Sequence, residues 1–129
     1  MIEHLTTIYE ALQQLHREGG HSNFAIFTAE HIESYYVQVA GERGGPRLYA
    51  EAVSNDFLRL EFALTETQIS RMRGLGWQLP EQGEGNFFRE WQATSDAHRR
   101  SVAQFLLQTL TEVYGVPADE PLDVNLVLE

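Results

Sequence analysis

The feature that most constrains this chain is a change of hydrophobic period along its length. Leu5, Ile8, Tyr9, Leu12 and Leu15 fall at i, i+3, i+4, i+7 and i+10, one stripe of an α-helix, and Gly19-Gly20 end it. The pattern then turns to period 2. Phe24, Ile26 and Thr28 alternate with smaller residues, and Tyr35, Val37 and Val39 alternate with Tyr36, Gln38 and Ala40, as half-buried strands do. Gly41 to Pro46 supplies three glycines and a proline, a hairpin loop that returns the chain as an antiparallel strand over Leu48–Val53.

The second half repeats the alternation of periods. Leu64–Leu75 predicts a short helix opened by a capping box, Thr65 to Gln68, with Leu64 and Ile69 spaced for a hydrophobic staple and Gly74 and Gly76 at its end. Trp77–Leu79 and Asn86–Gln92 read as strands flanking the turn Pro80–Gly85. A third helix starts from an N-cap at Thr94 or Ser95, carries Val102, Phe105, Leu106, Leu110 and Val113 on one stripe, and stops at Gly115 before Pro117. Leu122, Val124, Leu126 and Leu128 then alternate with Asp123 and Asn125 in a last edge strand. The expectation is a single α+β domain over residues 1–129, in the order α-β-β-β-α-β-β-α-β. Its antiparallel sheet of five to six strands carries helices packed on one face, burying Leu5, Leu12, Phe105, Leu106 and Leu110.

Composition narrows the chemistry. With 9 basic and 19 acidic residues the net charge is −10, and the arginines are scattered from Arg17 to Arg100, so nucleic acid is a poor partner. There is no cysteine, which excludes disulfides, zinc thiolate sites and iron–sulfur clusters. The apolar stretches are far shorter than the roughly 20 residues of a membrane-spanning helix. The start carries Glu3 and His4 and no basic segment leading into an apolar run, so a cytoplasmic location is expected.

Catalytic and ligand motifs are weak. His16 and His21 stand five apart across Gly19-Gly20, matching no zinc spacing, and the five histidines read as exposed or capping residues. Carboxylates such as Glu30, Asp56 and Glu61 are explained by abundance. Ser54, Ser70 and Ser101 lack a nucleophile elbow, and the glycines of Gly41–Gly45 lack the lysine of a phosphate loop. No metal and no cofactor are expected. Tyr36, Tyr49 and Phe88 belong to the more polar alternating sets of their strands, which places them on the sheet face away from the helices. They read either as a protein-contact surface, or as ordinary cross-strand pairs, or as residues that the C-terminal segment covers.

Four pieces carry a resemblance. They are Tyr35-Tyr36-Val37-Gln38, then Leu48-Tyr49-Ala50-Glu51-Ala52-Val53-Ser54-Asn55-Asp56-Phe57-Leu58, then Leu75-Gly76-Trp77, and finally Asn86-Phe87-Phe88-Arg89-Glu90-Trp91 followed by a long helix ending Val113-Tyr114-Gly115-Val116. Over about Tyr35 to Val116 the chain resembles the YbjN-like, or TY-Chap, domains, which share the fold of type III secretion chaperones. Arg59-Leu60-Glu61-Phe62-Ala63 departs from the proline-rich turn usual there. The resemblance implies a cytoplasmic bacterial protein, usually dimeric, that binds another polypeptide and catalyses nothing. With a client implied, the sheet face that alternation gives to Tyr36, Tyr49 and Phe88 is expected to hold that unidentified protein. Such domains commonly pair through the middle of the chain, and there the apolar side of the second helix, Ile69, Met72 and Leu75, followed by Trp77, is expected to form a homodimer interface. The competing reading is a small enzyme or ligand-binding domain with a pocket between the third helix and the sheet.

Overall fold

The computed structural model describes residues 2–79 and 85–129. Among these the elements run α1 (Ile2–Arg17), β1 (Asn23–Ala29), β2 (Ile32–Gly41), β3 (Arg47–Ala52), a 3-10 turn at Leu60–Phe62, α2 (Glu66–Leu75), β4 (Phe87–Gln92), α3 (Asp96–Gln108, continued by a π turn over Thr109–Val113) and β5 (Leu122–Val127). The five strands form one antiparallel sheet in the order β4-β3-β2-β1-β5, with α1 and α3 together on one face. No described helix is long and apolar enough to cross a membrane.

Local chemistry sets the helix ends. The Thr65 hydroxyl accepts from the Gln68 amide and the Gln68 side chain accepts from the Thr65 amide, so the capping box is closed. Gly76 ends α2 at φ 110°, a left-handed conformation, and any side chain there would run into the Arg89 guanidinium. Ser95 caps α3 by accepting from the His98 amide. The expected strand at Trp77–Leu79 is reduced to one bridge, Gln78 to Phe88, because Trp77 is drawn inward; residues 80–84 of the intervening turn lie outside the described residues.

The core lies between the sheet and the helices. Ile8, Leu12 and Leu15 of α1 and Leu106 and Leu110 of α3 are fully enclosed over Phe27, Val37 and Val39, while Leu5 and Phe105 are only partly buried. Several positions beneath the helices are alanines, Ala25, Ala29, Ala50 and Ala52, which let helix side chains approach the strands closely. Trp77 fills the gap beside α3. Its indole N–H donates to the Thr109 hydroxyl at 3.0 Å, and that hydroxyl donates to the Phe105 carbonyl at 3.0 Å. The Val113 carbonyl lies in the last turn, without an intrahelical partner, and the Gln68 side-chain Nε2 donates to it at 2.8 Å, fastening α2 to the end of α3. At the other end of α3, buried Arg99 donates to Gln13 of α1 and to Asp96, both at 2.6 Å.

Candidate functional site

Strand alternation gives the sheet a second face that no described helix covers. Register places its side chains in rows across the strands. Val127, Phe24, Ala40, Tyr49 and Glu90 form one row, and Asn125, Ile26, Gln38, Glu51 and Phe88 the next. Phe24, Ile26, Tyr49, Phe88 and Val127 are half-exposed and stand apart from the buried core cluster. The rings of Tyr49 and Phe88 are nearly parallel, 18° apart with centroids at 6.4 Å.

Charge is arranged around this apolar strip. Arg47 donates from Nε to Glu90 at 2.9 Å, and its guanidinium carbon lies 5.4 Å from the centre of the Tyr49 ring. The hydrogen bond from Arg47, with its charge, holds the Glu90 carboxyl below the usual carboxylate range. Partial burial, with the neighbouring Glu51 carboxylate, raises the Tyr49 phenol. At the start of β4, the Asn86 amide donates to Glu51 at 3.2 Å and to the Tyr36 hydroxyl at 3.3 Å.

The three aromatic residues singled out in the sequence therefore differ in setting. Tyr49 and Phe88 lie side by side in the strip, whereas Tyr36 is at its margin, packed against buried residues and tied to Asn86. Sequence reasoning missed Phe24, Ile26 and Val127. Their signal was present: they alternate with Ala25, Phe27 and Leu126, and only the small size of Ala25 and Ala29 hints that this set faces the helices.

The segment expected to form a dimer interface is corrected at two of its four residues. Met72 and Trp77 are 0% and 2% exposed and belong to the core of the chain itself, so they offer no surface to a second copy. Ile69 and Leu75 are half-buried and pack against the same core. The reason is the π turn and Thr109, which make a seat for the Trp77 ring that the helical stripe of α2 does not reveal.

A cleft of about 340 Å³ lies between β4 and α3, where the competing reading placed a pocket. Trp91 and Phe105 line it, with the Arg89 guanidinium over both rings at 5.1 and 4.6 Å from their centres. Arg89 also donates to the Leu75 carbonyl at 3.0 Å, capping α2. Among the described residues no carboxylate lines the cleft, and its His98 is engaged with Thr94, so these residues assemble no acid–base pair. Among the described residues no three His, Asp or Glu side chains converge to hold a metal ion.

No match was found among curated proteins or among solved structures. A family model does match: residues 7–127 fit TY-Chap3, described as the T3SS (YopN, CesT) and YbjN peptide-binding chaperone 3. The match covers every strand of the sheet and all but the first five residues of α1, so the helix-covered core and the open aromatic face both fall within it. The chain belongs to the TY-Chap3 family of peptide-binding chaperones.

Proposed function

We propose that this protein is a non-catalytic, homodimeric chaperone or adaptor of the bacterial cytoplasm that holds a segment of a client protein on the open face of its sheet. The observation that carries the reading is the strip of Phe24, Ile26, Tyr49, Phe88 and Val127. It is an apolar surface laid across the sheet, edged by the Arg47–Glu90 pair and unused by the core. Aromatic anchors of this kind dominate protein contacts, because each buries a large area at little conformational cost. A net charge of −10 favours clients with a basic segment and disfavours nucleic acid. Membership of a peptide-binding family supports a polypeptide client, and family together with the open face supports binding without chemistry.

The test is capture from the native host with the tagged protein, followed by mass spectrometry, run in parallel with Tyr49→Ala and Phe88→Ala. A client retained by the parent chain and lost from both variants, at unchanged melting temperature, supports the reading. Equal capture by all three proteins moves the site off this face.

A further inference from the structure

The two edges of the sheet are unlike. In β4 the odd residues bond to β3, so Phe88, Glu90 and Gln92 point their backbone groups outward, and Gln78 occupies the first of these with two hydrogen bonds, at 2.8 and 3.0 Å. In β5 the odd residues bond to β1, a parity fixed by Glu30 donating to the Pro121 carbonyl and Ser22 to that of Glu129. The backbone groups of Leu122, Val124 and Leu126 therefore point away from the sheet, and none has a partner among the described residues. The strand holds no proline, no basic residue and no bulge, its one charge, Asp123, lies on the open face, and its inward side chains Leu122, Val124 and Leu126 are only half-buried.

We propose that a second copy of this chain adds to this edge, β5 against β5, antiparallel about a two-fold axis through Val124. The proposal rests on the homodimer named above and gives it a seam. Side-chain chemistry selects both occupant and register. With the axis at Val124, Leu122 faces Leu126 of the second copy, and exposed Asp123 faces exposed Asn125, a carboxylate against an amide donor, once on each side of the axis. Moving the axis to Asp123 sets two carboxylates face to face. Moving it to Asn125 sets Asp123 against Val127. The self-complementary register pairs the outward groups of Leu122, Val124 and Leu126, and it carries the open face without a break into a sheet of twice the width.

Sedimentation of the full chain across a micromolar concentration series tests the seam. The parent chain should dimerise. Asn125→Asp should raise the dissociation constant roughly tenfold or more by opposing carboxylates at both symmetric positions. The double variant D123N/N125D, which exchanges the two groups at constant net charge, should restore it. Val124→Pro removes an outward N–H that β1 does not use and should abolish the dimer, with circular dichroism confirming the fold. A monomeric parent chain overturns the seam and the homodimer together. A dimer indifferent to Asn125→Asp, or one the double variant fails to restore, overturns the seam and leaves the homodimer standing.

Discussion

The two faces of the sheet put their apolar side chains to different use. Under the helices the strands present Ala25, Ala29, Ala50 and Ala52 between Phe27, Val37 and Val39, and all of these are fully enclosed. On the opposite face the same strands present Phe24, Ile26 and Tyr49, all half-exposed. A fully buried large apolar side chain contributes about 1.5 to 3 kcal/mol, a gain the half-exposed rings of the open face do not collect in full. The contrast teaches that the covered face is shaped by how closely α1 and α3 approach, and that the open face carries apolar bulk the fold does not need.

That comparison breaks if substitutions on the two faces have equal effects. The largest effect belongs under the helices. Leu106→Ala leaves a cavity in a fully enclosed site and should cost about 2 to 5 kcal/mol in denaturant unfolding. A loss below about 1 kcal/mol would mean α3 does not seal that face. Arg99→Leu comes next: it strips Gln13 and Asp96 of their buried donor and loosens α1 from α3, for about 1 to 3 kcal/mol by the same measurement.

Tyr114 sharpens the comparison through pH. Its hydroxyl donates to the Val53 carbonyl at 2.6 Å inside the core, and burial, with Tyr36 and Tyr35 nearby, raises its pKa well above the ordinary value. The unfolded chain thus loses this proton first. The stabilisation is complete below the unfolded-state pKa of about 10 and is lost as pH climbs from there through the higher folded-state value. Stability followed through that alkaline range should fall more steeply for the parent chain than for Tyr114→Phe. That variant should itself cost about 1 to 2 kcal/mol at neutral pH by leaving the Val53 carbonyl unpaired. Identical alkaline profiles would remove Tyr114 from the account.

The smallest effect on stability belongs to the open face. Phe24→Ser should change unfolding by less than about 1 kcal/mol, because its ring is not part of the core cluster, while weakening client capture. If it unfolds the domain instead, the open face is structural and the contrast between the faces fails.

How much of this was legible in the sequence depends on the range of the interaction. The Thr65–Gln68 capping box, the Ser95 cap and the glycine stop at Gly76 are contacts within a few residues, and each is found where its local pattern places it. The stripe on α1 and the alternation in β1 to β3 likewise fix which elements form. Alternation alone does not say which set of a strand faces the helices, and so Phe24, Ile26 and Val127 went unrecognised as surface. Met72 and Trp77 show the same limit from the other side. Their apolar side reads as surface to be covered, and it is covered within the chain, by a seat that exists only where α3 widens at Thr109.

By itself the sequence determined the elements, their order and the sheet-and-helix class, since these follow from periodicity and from caps a few residues long. Tertiary structure alone decided that the alanines face the helices, that Trp77 is core, that Gln78 guards one edge of the sheet and that β5 finds no further strand among the described residues at the other. Those outcomes depend on which surfaces meet across tens of residues, where packing volume and backbone hydrogen-bond parity choose among arrangements that the local pattern leaves equal.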